Sequence, residues 1–227
     1  MHLETDGLIL GEQSVGESDR LVTVLTRDEG VLRAFARQAK RVKSAKLSAT
    51  QLFCYSRLSI YKGRETYIID DARPIELFFD LRRDLEHLAL AQYFCELARS
   101  VAPQEAPAGD FLRLLLNAFH FLQKGTKPLF LLKPVVEMRM LSFAGYMPNL
   151  VACCECGRYL ADPMYFYPAR GELACPDCAP RLGGAPMALP PGVLTALRPT
   201  GVGDFEKLFW FTLPEAGLHA LAAASER

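Results

Sequence analysis

The stretch Gln51–Tyr61, with the sequence QLFCYSRLSIY, decides the fold of the N-terminal part of this chain. Its side chains divide between two faces: Leu52, Cys54, Leu58 and Ile60 on one, and Phe53, Tyr55, Arg57 and Tyr61 on the other. This period of two predicts a β-strand, because successive side chains of a strand point to opposite sides of the sheet. We expect the first face to be buried and the second to present aromatic rings and a cation.

Four further segments with strand character surround this one, namely Leu8–Leu10, Leu21–Thr26, Val31–Phe35 and Thr66–Ile69. They are rich in apolar or β-branched residues, and turn signals such as Arg27–Gly30 separate them. Five short strands before any helix predict a small antiparallel barrel, for which an OB-fold is the most economical candidate. We assign residues 1–76 to this nucleic-acid-binding domain.

Helical patterns begin near Leu77 and define a second domain, predicted as a helical bundle over residues 77–150. Later helices are expected over Phe111–Gln123 and from Pro128 to Gly145. Residues 182–227 contain short helical fragments, which we expect to pack on the helical domain. The predicted fold class is therefore α+β: an N-terminal OB-fold β-barrel, a central helical bundle and an inserted cysteine element.

Two C-x-x-C pairs, Cys153/Cys156 and Cys175/Cys178, lie within residues 151–181 and flank a predicted hairpin. Two thiolates three positions apart can share one metal ion, and four thiolates satisfy the tetrahedral preference of zinc. The layout predicts a zinc ribbon that binds one structural Zn²⁺, because four protein ligands leave no open position for a reacting water. Cys154 remains an alternative to Cys153 as a ligand.

Positive charge is concentrated in the barrel, although the net charge of the 227 residues is zero. Val31–Arg64 contains nine basic residues and no acidic one, which is typical of a module that binds a polyanion. Aromatic rings beside cations favour single-stranded nucleic acid, since every base has a stacking face. The predicted DNA-binding residues are Arg20, Arg33, Arg37, Lys40, Arg41, Lys43, Lys46, Tyr55, Arg57, Tyr61, Lys62 and Arg64. The alternative is a solvated charged loop beside tyrosines that close the barrel rim.

No motif of a known catalytic class is present. The sequence lacks a phosphate loop, H-E-x-x-H and G-x-S-x-G, and its four histidines are scattered. The first residues have neither the basic start nor the apolar core of a signal peptide, and no apolar run reaches membrane-spanning length. We therefore expect a non-enzymatic protein of the cytoplasm that does not associate with a membrane.

Five segments, taken in order, resemble the bacterial RecO family of recombination mediators. They are Gly16–Thr23, Gly30–Arg33 with Ala36–Arg37, Leu58–Arg64, Leu81–Leu85 and Phe143–Pro148. The resemblance extends from about Thr5 to Cys178 and gives no signal past Leu182. Some family members lack the four cysteines, so zinc is not expected to be essential to the shared activity.

The resemblance implies binding of single- and double-stranded DNA, annealing of complementary strands coated with single-strand-binding protein, and assistance to recombinase loading with the partner RecR. It also implies that the acidic C-terminal tail of single-strand-binding protein docks on the helical domain. Such a tail needs an apolar pocket beside a cation, and Lys133 and Arg139 are the candidate cations, with a solvated helix face as the alternative. Two other functions stay open at this point: a zinc-ribbon transcription or RNA-processing factor, and an enzyme with an unrecognised site.

Overall fold

A computed structural model describes residues 2–63 and 66–226 of the chain, except for the side chain of Val202. The chain divides into two compact units, Met1–Thr126 and Lys127–Arg227. Along the described part of the chain, no helix combines the length and the apolar composition that crossing a membrane requires.

The first unit contains a closed barrel of five strands: β1 (His2–Val15), β2 (Asp19–Thr26), β3 (Gly30–Ala36), β4 (Cys54–Lys62) and β5 (Tyr67–Leu77). Their order around the barrel is β1-β2-β3-β5-β4, and β4 closes it by pairing with β1. The short helix α1 (Lys46–Ala49) lies between β3 and β4 in the chain. The predicted α+β class with an N-terminal OB-fold barrel is confirmed, and closure leaves no free sheet edge.

The strand predicted over Gln51–Tyr61 begins three residues later than expected, at Cys54. Phe53 has a φ of +67° and is fully buried. Its ring lies edge-on to that of Phe119, with 5.4 Å between the centroids. Phe53 is therefore not on the exposed strand face, because its left-handed backbone turns the side chain out of the strand alternation.

Two helices belong to the first unit, α2 (Leu85–Val101) and α3 (Gly109–Lys124), after a 3₁₀ turn at Phe79–Arg83. The Asp84 carboxylate caps α2 by accepting a hydrogen bond from the His87 N–H at 2.9 Å. Helix α3 buries an apolar face that includes Phe119, whose ring also contacts Phe78 at 5.3 Å. These aromatic contacts attach α3 to the chain segments that enter and leave the barrel.

The next helix, α4 (Leu129–Phe143), belongs to the second unit. The division between the units thus falls inside residues 77–150, which we predicted to be one helical bundle. Nine of the ten residues from Leu131 to Met140 are buried, the exception being Lys133, so this part of the helix has no broad solvent face. A helix buried on all sides serves as the centre of a unit instead of as its edge.

The second unit also contains a four-stranded sheet in the order β6-β8-β7-β9. Its strands are β6 (Asn149–Cys153), β7 (Met164–Tyr167), β8 (Glu172–Ala174) and β9 (Met187–Leu189). Three helices complete the unit: α5 (Ala179–Leu182), α6 (Pro191–Val202) and α7 (Glu215–Ser225). Helices α6 and α7 contact α4, and the four predicted metal ligands lie beside or within this unit's core.

Candidate metal centre and nucleic-acid interface

Four cysteine thiols converge in the second unit. The Sγ atoms of Cys153, Cys156, Cys175 and Cys178 all lie within 4.8 Å of one another, and 3.7 Å separates those of Cys156 and Cys175. A tetrahedron with Zn–S bonds of about 2.3 Å has S···S edges of about 3.8 Å, so this spacing fits zinc. The cluster can hold a metal ion, and its members are the four that the spacing predicted.

Cys154 is exposed and does not belong to this cluster. Its backbone N–H donates to the Leu173 carbonyl at 2.8 Å and joins the turn that carries Cys153 and Cys156 to β8. Gly157 has a φ of +71° and its N–H donates to the Cys153 carbonyl at 3.0 Å, which closes the turn between the first two ligands. The geometry therefore favours Cys153 over Cys154 as the ligand.

The surroundings of Cys153 favour its thiolate form. Burial alone would raise the pKa of this thiol, but the backbone N–H groups of Cys156, Cys175 and Glu155 together lower its pKa to about 6. Metal ligation requires the thiolate, so the turn prepares this residue for an ion.

Arg198 of α6 attaches the cysteine element to the helices. Its Nε donates to the Leu150 carbonyl and its Nη2 to the Val151 carbonyl, both at 2.8 Å. Its guanidinium also donates to the Tyr159 carbonyl and lies 3.6 Å from the centre of the Tyr159 ring. Arg198 was not predicted from the sequence, because the sequence of a short helix does not indicate which distant carbonyl groups its arginine will contact.

The basic loop, residues 37–46, connects β3 to α1 and is held at its N-terminal end by the β1–β2 turn. The Gln38 N–H donates to Asp19 Oδ1 at 2.7 Å, and the Lys40 N–H donates to the Ser18 carbonyl at 2.9 Å. The hydrogen bond from Gln38 lowers the pKa of the Asp19 carboxyl, so this contact persists in the charged state at neutral pH. The loop thus has a defined position beside the barrel.

Five predicted DNA contacts keep their charge available. Arg33, Arg37, Arg41 and Lys43 are exposed and Lys40 is half-buried. Throughout residues 2–63 and 66–226, none of these five side chains takes part in a salt bridge. Exposed cations of this kind are the groups that neutralise a phosphate backbone.

Other predicted cations have partners inside the first unit. Arg20 lies 3.1 Å from Glu12 and donates to the Leu47 carbonyl at 2.8 Å, with 13% of its side chain exposed. The guanidinium of Arg20 therefore holds the segment around α1 on the barrel, which leaves little of it exposed for a DNA contact. Arg57 pairs with Asp6 at 2.9 Å. Lys46 Nζ donates to the Ile69 carbonyl at 3.3 Å.

The two predicted stacking tyrosines differ in exposure. Tyr61 is 41% exposed, with its ring 5.3 Å from that of His2, whereas Tyr55 is half-buried. Burial, followed by the nearby Asp6 carboxylate, raises the pKa of Tyr55. Tyr61 therefore offers more ring surface to a base. Arg64, also predicted as a contact, lies outside the described residues.

A groove crosses the outer face of β1, β2 and β3, formed by two adjoining depressions of about 520 and 230 Å³ that share Thr23, Arg33 and Arg99. We call this the outer groove; its lining also includes Gly11, Leu21, Tyr67 and Glu105. Arg99 of α2 reaches it beside Gly11, where a Cβ would lie 3.8 Å from Arg99 Nη1, an ordinary van der Waals contact. Sequence inspection missed Arg99, since its approach to β1 depends on how α2 docks.

The two residues predicted to bind a partner's tail have roles inside the second unit. Lys133 Nζ lies 2.9 Å from carboxylate oxygens of both Glu137 and Glu226. Arg139 is only 7% exposed, and its guanidinium donates to the Thr200 and Gly203 carbonyls at 3.3 and 2.8 Å. The expectation that Arg139 is a surface cation is wrong, because the C-terminal end of α6 and the residue that follows it bind the guanidinium.

Comparison with known families and proteins matches the whole chain to one group. Residues 1–78 match the family described as Recombination protein O N terminal, and residues 82–227 match Recombination protein O C terminal. The junction between the matches lies close to the predicted boundary at residue 76. It differs from the division of compact units after Thr126, because α2 and α3 follow the junction in sequence yet pack with the barrel.

Several curated proteins named DNA repair protein RecO are similar to this chain. The protein of Acetivibrio thermocellus is 33% identical over 226 residues, which are 100% of this chain and 90% of that protein. The protein of Desulforudis audaxviator is 38% identical over 180 residues, covering 78% of this chain and 71% of its own length. The protein of Symbiobacterium thermophilum is 32% identical over 209 residues, covering 89% and 81%.

Proposed function

The chain belongs to the RecO family of DNA repair proteins, and we propose that it acts as a non-catalytic recombination mediator. In this role it binds single- and double-stranded DNA, anneals complementary strands coated with single-strand-binding protein and assists recombinase loading. The place of action that follows is the cytoplasm at the nucleoid. Membership of a DNA repair family disfavours the transcription or RNA-processing alternative.

The observation that carries this proposal is the combination of the basic loop with the outer groove on one barrel. Five cations without a salt bridge lie along the loop and β3, and Arg99 adds a sixth positive group at the groove. Arg99 pairs with Glu96 at 2.8 Å, and 41% of its side chain remains exposed. The charged residues that line the groove are two arginines, Arg33 and Arg99, and two glutamates, Glu12 and Glu105. The arginines, together with the cations of the basic loop, can track a phosphate backbone without reading base identity, which suits annealing of any complementary sequence.

Annealing of this kind requires no bond breaking by the protein. Each strand carries one negative charge per phosphate, so two strands repel one another until cations neutralise them. The exposed arginines and lysines supply that neutralisation, and release of counterions drives binding. A protein working in this way needs no nucleotide cofactor.

We propose that the four-cysteine cluster binds one structural Zn²⁺. Four thiolates fill a tetrahedral shell, and the ion then holds β6, the β7–β8 hairpin and α5 together. The apolar residues of the cluster's neighbourhood, including Met164, Leu173 and Leu189, join the same core. The metal thus contributes to folding of the second unit and takes no part in chemistry.

We propose that the acidic tail of single-strand-binding protein docks at a depression of about 480 Å³ in the second unit, and not at Lys133 and Arg139. Met138, Leu141, Phe166 and Tyr146 contribute to its lining, and the exposed Arg170 lies at it. The lining also includes polar side chains such as Asn149 and Glu172, so the match to an acidic tail rests on the apolar residues and on Arg170, whereas Arg139 is buried. RecR and, through it, the recombinase filament complete the proposed set of partners.

The test is annealing of complementary oligonucleotides precoated with single-strand-binding protein, with no nucleotide added. We expect this protein to accelerate annealing, and we expect high salt to abolish the acceleration. Binding of DNA without acceleration would contradict the mediator function and leave a DNA-binding protein. An Arg170→Glu variant should lose acceleration on coated strands and keep it on bare strands.

A further inference from the structure

One anion site in the first unit is already built and is filled by a side chain of the protein itself. Lys62 Nζ and the Tyr67 hydroxyl both donate to the same atom, Glu105 Oε1, at 3.1 and 3.2 Å. Lys62 and Tyr67 are paired residues at the ends of β4 and β5, so the barrel sets the distance between the two donors. Two donors that converge on one oxygen form the minimal recognition unit for an anionic oxygen.

The site belongs to the outer groove, because Tyr67 and Glu105 line it together with Arg33 and Arg99. A strand that contacts the two arginines therefore reaches the Lys62–Tyr67 pair at the same face. The side chains of Lys62 and Glu105 are 44% and 66% exposed, so solvent and ligands have access to the contact.

The loop that carries Glu105 is held in place by its backbone. The Val31 N–H donates to the Pro103 carbonyl and the Ala108 N–H donates to the Arg27 carbonyl, both at 2.9 Å. Gly30 permits this approach, since a Cβ there would lie 2.1 Å from the Pro103 oxygen. Glu105 itself has a φ of +55°, a left-handed conformation that is uncommon for residues other than glycine. The carboxylate is thus presented to the two donors by a docked loop.

We propose that Lys62 Nζ and the Tyr67 hydroxyl form a phosphate subsite, which the Glu105 carboxylate occupies until a phosphodiester of single-stranded nucleic acid displaces it. This inference rests on the proposed function, because it assigns a place in the groove to a DNA phosphate. A carboxylate oxygen and a phosphate oxygen accept from the same donors, so the exchange preserves both hydrogen bonds. The hydrogen bond from Lys62, followed by that from Tyr67, lowers the pKa of Glu105, which keeps the occupant charged at neutral pH.

The exchange makes Glu105 a competitor of DNA. Removing the charge of Glu105 therefore increases the affinity for DNA. If Glu105 only stabilised the fold, its substitution would decrease that affinity. The free energy of an exposed ion pair corresponds to a factor of about two to five in an equilibrium constant. Glu105→Gln should therefore increase the affinity for an oligo(dT) probe by about that factor. Binding is measured by fluorescence anisotropy on the full chain.

Asp71→Asn is the matched control. Asp71 lies on β5 and pairs with the exposed Arg73 at 3.3 Å, so this substitution removes the same charge from the same barrel. We expect it to change affinity by less than about 1.5-fold, because distant exposed charges are screened. Glu105→Gly provides a second variant that suits the left-handed backbone and also removes the carboxylate.

A double-variant cycle identifies the mechanism. If Glu105 competes through Lys62, then Glu105→Gln brings no gain in a chain that already carries Lys62→Gln. Tyr67→Phe, placed in the Glu105→Gln chain, should lower affinity because the phosphate loses one donor.

Equal gains from the Glu105 and Asp71 variants, or a gain that persists without Lys62, would overturn the subsite and leave the proposed function intact. Absence of oligo(dT) binding by the parent chain and by every variant would overturn both. Thermal unfolding of each variant checks that the fold is unchanged.

Discussion

Replacing Lys40, Arg41 and Lys43 together by Glu removes three of the five predicted DNA-contacting cations that have neither a salt bridge nor, unlike Lys46, a side-chain hydrogen bond among the described residues. The three residues lie in the basic loop, whose backbone is tied to Ser18 and Asp19 by main-chain N–H groups. Because those ties do not involve the substituted side chains, the loop should keep its position. The perturbation thus changes charge and leaves the fold in place.

The expected magnitude follows from counterion release. Each phosphate neutralised on a single strand contributes about −0.7 to the slope of log affinity against log salt. Five cations predict a slope of about −3.5, and two predict about −1.4. At about 0.1 M salt, losing three contacts lowers affinity about 100-fold, and repulsion by the new carboxylates lowers it further.

The assay is anisotropy of a labelled oligo(dT) titrated at several salt concentrations. A control chain with Glu at Arg73, Arg83 and Lys124 has the same net charge, and all three positions are exposed. We expect the control to keep the slope of the parent. An unchanged slope in the loop variant, or equal flattening in both variants, would refute the assignment of the loop to the interface.

Four further predictions concern stability and metal binding. Purified protein should contain one zinc per chain by atomic absorption; Cys153→Ser should lose it and Cys154→Ser should keep it, and the reverse result would exchange the two ligands. Chelation at neutral pH should expose residues 149–190 to protease while the barrel resists, and uniform resistance would contradict a structural metal. Arg198→Ala should lower thermal stability by about 2 kcal/mol, because backbone carbonyls lose a charged donor, and Arg198→Lys should not restore it. Phe119→Ala should cost about 3–5 kcal/mol in denaturant unfolding, since its ring contacts two other buried rings; a cost below about 1 kcal/mol would contradict that packing.

Local patterns in the sequence were sufficient for features that depend on local physics. The alternation after Cys54 predicted a strand because side-chain direction in a strand repeats every two residues. The two C-x-x-C pairs predicted the cysteine cluster because ligand chemistry restricts both residue type and spacing. The positive charge of the basic loop could also be predicted from the sequence, since no acidic residue within Val31–Arg64 offsets it.

Features that depend on contacts between distant segments required the tertiary structure. Arg20 and Arg139 belong to the same residue type as Arg37, yet only the fold shows that the first two are enclosed by carbonyls or a carboxylate. Arg99 reaches the outer groove, and Glu105 reaches Lys62, through the docking of a helix and a loop on the barrel. The availability of a charge depends on which groups surround it in space, and the carbonyl groups that bind Arg20 and Arg139 lie 27 to 64 residues away along the chain. Residue type therefore determined what each side chain could bind, and tertiary packing decided whether it was free to do so.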